Sequence, residues 1–168
     1  MAQPIQMNGL PVVIHGKTLK IGDKAPDFKL VGNSLELIQK KDFEGKILIL
    51  SCVPSVDTPV CDVETRRFNV LAGKLSDQVR IVTVSKDLPF AQARWCAAAG
   101  IQQVLTASDY RNFGFATDYG VLLEDLGLLT RAVFIIDKEG IIRYIQFVPE
   151  ISHEPNYDEI LAEIKKLL

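Results

Sequence analysis

Lys46-Ile-Leu-Ile-Leu-Ser-Cys-Val53, followed at once by Pro54-Ser-Val-Asp-Thr-Pro-Val-Cys61, is the stretch on which the fold turns. The first half is an almost continuous apolar run of strand length, the pattern of a central strand buried on both faces. Pro54 stops it. Thr58 then precedes a proline, which pushes its backbone out of the α region. A helix N-cap needs that non-helical backbone, and the threonine hydroxyl supplies a capping oxygen. Pro59 falls at the first helical position, where its missing N–H costs nothing. The spacing therefore predicts a helix from Pro59 to about Leu75, with Cys61 in its first turn.

Upstream, Val12-Val-Ile and Thr18-Leu-Lys-Ile are short β-favouring runs around His15-Gly16-Lys17, which predict an N-terminal hairpin within residues 1–22. A loop at Gly22–Pro26 leads to a short strand at Phe28–Val31. Downstream, Val79–Val84 reads as a strand and Leu88–Ala99 as a helix. That helix has Asp87 as N-cap, Pro89 in its first turn and Gly100 just past its end. An apolar segment near Val104-Leu105 and a polar-aromatic stretch with a short helix, Asp109–Phe115, come next. Ala132–Ile136 and Ile141–Val148 flank the turn Asp137-Lys-Glu-Gly140, and Asn156–Leu168 is an amphipathic closing helix. A β-α-β unit requires a right-handed parallel crossover with its helices on the sheet faces. The β-β-α ending adds an antiparallel edge. Together they predict a thioredoxin-like α/β fold: a mixed central sheet flanked by helices, one domain over 1–168, with the N-terminal β-hairpin as an extension.

Composition narrows the function. The 168 residues carry 19 Lys+Arg against 21 Asp+Glu, a net charge of −2, and no basic cluster interleaved with aromatics, so nucleic acid is not an expected partner. The apolar runs fall short of the ~18–20 residues a membrane span needs. No signal peptide is visible, and three cysteines are too few for a secreted disulfide framework, so the expected compartment is the cytoplasm. The cysteines show no Cys-x-x-Cys pair, and His15 and His153 no metal-ligand spacing, so neither a metal nor another cofactor is expected.

Cys61 is where the chemistry points. The first turn of a helix presents N–H groups without intrahelical partners, and with the helix dipole they stabilise an anion. Thiolate is the nucleophilic form of cysteine, so this position favours reactivity. Cys61 also shares a helical stripe with Phe68, Ala72 and Leu75, as an inert core cysteine would, but the Thr-Pro-x-Cys spacing puts it at the helix mouth beyond a strand end, where sites form in open α/β sheets. Asp57, Asp62 and Glu64 lie nearby and would repel a thiolate, so a reactive Cys61 needs a cation to outweigh them. Arg66 and Arg67 are adjacent in sequence. Arg131, at the mouth of the Ala132–Ile136 strand, either reaches the site or pairs with a surface carboxylate; spacing alone leaves that open.

Pro54-x-x-x-Thr58-x-x-Cys61 resembles the peroxiredoxin active-site motif, and Lys24-Ala-Pro-Asp-Phe28 resembles the segment that opens that domain. Over essentially its whole length, Arg131-Ala-Val-Phe134 included, the chain is similar to the thiol peroxidase subfamily of atypical two-cysteine peroxiredoxins. The resemblance implies that Cys61 is the peroxidatic cysteine, that Thr58 hydrogen-bonds the thiolate and the peroxide, that Pro54 shields the pocket and that Arg131 orients the peroxide. It makes Cys96, otherwise a helix-packing residue, the resolving cysteine that forms a disulfide with Cys61. Two helices on one sheet face rarely bring cysteines within the ~4.4–6.8 Å Cα separation of a disulfide, so unwinding near Cys61 is expected in each cycle. The implied partners are hydrogen peroxide and organic hydroperoxides, with Val60, Phe90 and Trp95 as apolar neighbours. A thioredoxin-type reductant and a homodimer touching through Tyr110–Phe115 are implied as well. Cys52, inside the apolar run, reads as structural. The rival readings are a thiol–disulfide oxidoreductase, disfavoured because Cys61 has no cysteine three residues away, and a peroxide sensor on the same scaffold.

Overall fold

The computed structural model describes residues 4–168. Its centre is a seven-stranded mixed sheet. In chain order its strands are β3 (Lys29–Val31), β4 (Leu37–Gln39), β5 (Ile47–Cys52), β6 (Val79–Ser85), β7 (Leu105–Ser108), β10 (Ala132–Ile136) and β11 (Ile142–Phe147). Two small antiparallel pairs stand outside it: β1 (Ile5–Met7) with β2 (Leu10–Val12), and β8 (Leu122–Leu123) with β9 (Leu128–Leu129). The sheet order is β11-β10-β5-β6-β7-β3-β4, with β5, β6 and β7 parallel and every other pairing antiparallel.

The Ile47–Cys52 run is buried at every residue because both of its faces are covered. Ile47 and Ile49 point into a core with Phe68 of helix α1 (Pro59–Lys74), Cys96 of α2 (Pro89–Ala99) and Ile160 and Ile164 of α4 (Tyr157–Leu167). Leu48, Leu50 and Cys52 point the other way, to Phe28 and to Phe115 of the single-turn α3 (Phe115–Asp118) and Tyr119 beyond it. Thus α1, α2 and α4 share one face. On α4, Tyr157, Ile160 and Ile164 recur at helical spacing, and the Asn156 side chain accepts the Glu159 N–H at its start. Each fully buried isoleucine of this kind contributes about 1.5–3 kcal/mol. A T-shaped Phe68–Tyr157 contact, centroids 5.6 Å apart, ties α4 to α1.

Three local expectations are corrected, and one short strand is added. The hairpin lies at Ile5–Val12, not Val12–Ile21: Asn8 and Gly9 both have positive φ (53° and 80°), as a two-residue hairpin turn demands. The His15-Gly16-Lys17 segment instead pairs with the α3 region, His15 N donating to Leu122 O and Lys17 N to Thr117 O, both at 2.8 Å. Gly16 is required there, since a Cβ would sit 2.5 Å from Thr117 O. The short helix expected within Asp109–Phe115 begins only at Phe115. Edge strand β4 has a single buried residue, Ile38, and left no periodic signal. Finally, Asp87 does not cap α2. Leu88 occupies the N-cap without a side-chain bond, while the far end stops as expected at Gly100 in the left-handed conformation, φ 68°.

Candidate active site

The strand-to-helix turn adopts the local geometry its sequence demands. Thr58 has extended backbone (φ −82°, ψ 149°), Pro59 opens α1, and the Thr58 hydroxyl accepts the Cys61 N–H at 3.2 Å. The same hydroxyl donates to Ser55 O at 3.1 Å, so its one proton goes to the loop and not to the Cys61 sulfur. Pro54 is buried at the head of this loop. Cys61 is wholly covered, and its carbonyl accepts the Thr65 hydroxyl at 2.8 Å.

Arg131 arrives at this turn from β10. Its Nη2 donates to Cys61 Sγ at 3.2 Å, Nη1 to Glu64 Oε2 at 2.5 Å and Nε to Ile151 O at 2.8 Å. Burial works against its charge, but Glu64 and Cys61 outweigh that and hold its pKa above the ordinary arginine value. Ser51 of β5 donates to the other Glu64 oxygen at 2.9 Å. Burial raises the Glu64 pKa against the lowering pull of Arg131 and Ser51. The result is a buried line, Ser51–Glu64–Arg131–Cys61, that presents a cation to the sulfur.

Glu64 is the residue sequence reasoning misjudged. It was expected to repel a thiolate, yet three positions along the helix from Cys61 it holds the arginine that faces the sulfur. The signal was its spacing, on the inward stripe with Cys61 and Phe68. Asp57 is exposed, and Asp62 is occupied by Arg66 Nε at 2.9 Å and Trp95 Nε1 at 3.0 Å. Arg67 lies 4.3 Å over the Tyr157 ring. Neither neighbouring arginine serves Cys61.

Cys96 is not brought to Cys61. It is a free thiol in the core under α2, with Sγ 3.4 Å from the Thr106 hydroxyl of β7. Cys52 faces the opposite core, where burial, then Asp109 and Glu64, keep its thiol pKa well above the ordinary value. His15 pairs with Glu124 at 3.3 Å. Among the described residues no group of three or more His, Cys, Asp or Glu side chains converges as a metal site.

Asp87, freed from capping, binds the Cys61 loop. Its carboxylate accepts the Ser55 hydroxyl at 2.7 Å, the Val56 N–H at 2.9 Å and the Ser85 hydroxyl at 2.6 Å.

Chemically, this is a thioredoxin-like scaffold carrying one cysteine at a helix mouth with a buried guanidinium aimed at its sulfur. A model of the AhpC/TSA family matches residues 21–145. Over 164 residues, 98% of each chain, the sequence is 47% identical to a thiol peroxidase of Bacillus subtilis (strain 168). The crystal structure of a peroxiredoxin-like protein from Aquifex aeolicus superposes with a TM-score of 0.93 at 44% identity, covering 100% of this chain and 99% of that one. A thiol peroxidase from Chromobacterium violaceum, 19% identical, shares the fold with a TM-score of 0.87 over 98% of this chain and 97% of the other. The chain belongs to the AhpC/TSA family and, within it, to the thiol peroxidases, which are peroxiredoxin-type enzymes.

Proposed function

We propose that the protein reduces hydrogen peroxide and organic hydroperoxides through Cys61. The observation that carries this reading is the Arg131 contact to the Cys61 sulfur at 3.2 Å in the first turn of a helix. The thiolate attacks the terminal peroxide oxygen; the S–O bond forms as the O–O bond breaks, and the departing oxygen takes a proton to leave as water or alcohol. Charge grows on that oxygen during the step, and a fixed guanidinium stabilises it. Thr58 serves by capping the turn and, once its hydroxyl leaves Ser55 O, by donating to the peroxide. Pro54 keeps bulk water from the loop.

The Cys61 sulfenic acid then condenses with the Cys96 thiol, forming an S–S bond and releasing water. A thioredoxin-type dithiol reduces the disulfide and returns both thiols. No metal or organic cofactor enters these steps. The working form is a homodimer in the cytoplasm, with exposed Tyr110 and Phe113 at the contact. No helix among the described residues is long and apolar enough to cross a membrane.

The test is peroxide consumption with a thioredoxin system by wild type, Cys61→Ser, Cys96→Ser and Cys52→Ser. The expected results are repeated turnover for wild type, none for Cys61→Ser, a single turnover for Cys96→Ser and near-normal turnover for Cys52→Ser. A wild type that reacts once and is not recycled would mark a sensor instead. Activity in Cys61→Ser equal to wild type would overturn the reading.

A further inference from the structure

The segment carrying Cys61 is tied to the helix carrying Cys96 at two separate points. At the loop end, Asp87, two residues before α2, grips Ser55 and Val56. Asp87 is suited to cap α2 and does not; a local preference overridden in this way marks a residue held for another purpose. The grip is relayed inward, because Ser55 O takes the Thr58 hydroxyl and that hydroxyl takes the Cys61 N–H. At the helix end, the Trp95 indole N–H donates to Asp62 at 3.0 Å. Arg66 closes this second point: it pairs with the same Asp62 oxygen, lies 5.9 Å over the Trp95 ring and donates to Ala99 O at 3.4 Å. The two points bracket the Cys61 turn, one on each side.

Cys61 and Cys96 are each buried in packed surroundings as free thiols, so the condensation proposed above requires the turn to open first. Opening displaces Ser55, Val56 and Asp62, and so breaks hydrogen bonds to charged acceptors, the stronger kind. We propose that Asp87 and Trp95 form a two-point clamp that sets the rate at which the Cys61 sulfenic acid closes onto Cys96. They are positioning residues: neither touches the sulfur. The inference rests on the reading of Cys61 as peroxidatic and Cys96 as resolving. Its consequence is a long-lived sulfenic acid, exposed to a second peroxide, which would carry it to sulfinic acid with release of a further water or alcohol.

The test uses the full chain, reduced, treated with one equivalent of hydrogen peroxide and quenched at intervals. Sulfenic acid and disulfide are then counted by mass spectrometry after thiol alkylation. Asp87→Asn keeps side-chain size, Trp95→Phe keeps an aromatic ring but removes the indole N–H together with some packing against the core, and Ser55→Ala removes only one arm of the first point. Each is expected to close the disulfide faster than wild type, by about tenfold for the first two, the effect of one lost hydrogen bond to a charged acceptor. In excess peroxide each is expected to accumulate less sulfinic acid. Each reduced variant is also melted: a clamp residue accelerates closure with a melting temperature near that of wild type, whereas a side chain that supports the fold as a whole lowers the melting temperature by several degrees. Variants closing at the wild-type rate or more slowly, beside a wild type that does form the Cys61–Cys96 bond, would overturn the clamp alone. A wild type that forms no sulfenic acid, or no Cys61–Cys96 bond, would overturn the catalytic reading and the clamp with it.

Discussion

Arg131 holds three acceptors with three nitrogens: Ile151 O, Glu64 and the Cys61 sulfur. A planar guanidinium can meet three fixed directions at once, whereas an ammonium on a flexible stem is a single point. Arg131→Lys therefore keeps the charge but loses the aim. Its rate constant for peroxide oxidation of Cys61 is expected to fall about 10²–10³-fold, the usual loss for one preorganised donor to a developing oxyanion, as stopped-flow measurement would show. Glu64 matters for the same reason. Buried beside Ser51, it converts a nearby negative charge, by itself hostile to a thiolate, into the fixture that aims a positive one.

At the scale of elements, two aspartates hold connections in place. Asp137 organises the β10–β11 turn by accepting Glu139 N at 2.9 Å, Ile141 N at 3.0 Å and Arg143 Nε at 2.6 Å. Partial burial works to raise its pKa, but the bonds from Ile141, Arg143 and Glu139 hold it below the ordinary aspartate value. A depressed folded-state pKa adds stability above the unfolded value that is lost as pH falls through the folded one. Asp137→Ala is expected to lower stability by about 1–2 kcal/mol at neutral pH. Thermal melts over a pH series should show the gap narrowing below the ordinary aspartate range, about pH 4. A constant gap would mean that the charge contributes nothing. Asp87 shows the opposite case: an N-cap type drawn away from its own helix, leaving Leu88 at the cap without a side-chain bond.

Across the whole molecule, the sheet separates the face that carries Cys61 from an aromatic-rich one. Cys61, Glu64, Arg131 and Cys96 belong with α1, α2 and α4, while the aromatic cluster of Phe28, Phe115, Tyr119 and Phe134 fills the other side. Opening the Cys61 turn should therefore leave the sheet intact. Hydrogen exchange of the reduced and peroxide-oxidised chain is expected to show lost protection confined to about residues 54–66 and the α2 region, with β5, β6 and β10 unchanged. Loss of protection throughout the sheet, or none near either cysteine, would contradict a local opening.

The sequence by itself determined the strand, the proline stop, the Thr58 cap and the first-turn position of Cys61. Those depend on steric and hydrogen-bonding rules acting over a few residues. It also determined the β-α-β-α order and the closing β-β-α, because periodicity reports which side of an element is buried. It misplaced the first hairpin, whose turn rests on Asn8-Gly9, because the chain at His15–Lys17 pairs with residues a hundred positions away. Only the tertiary structure decided that Arg131 reaches Cys61 across 70 residues, that Glu64 aims it, and that Asp87 holds the loop instead of its helix. Such contacts exist only once the sheet has brought distant strand ends together, and nothing in local spacing distinguishes a side chain delivered to a site from one left in solvent.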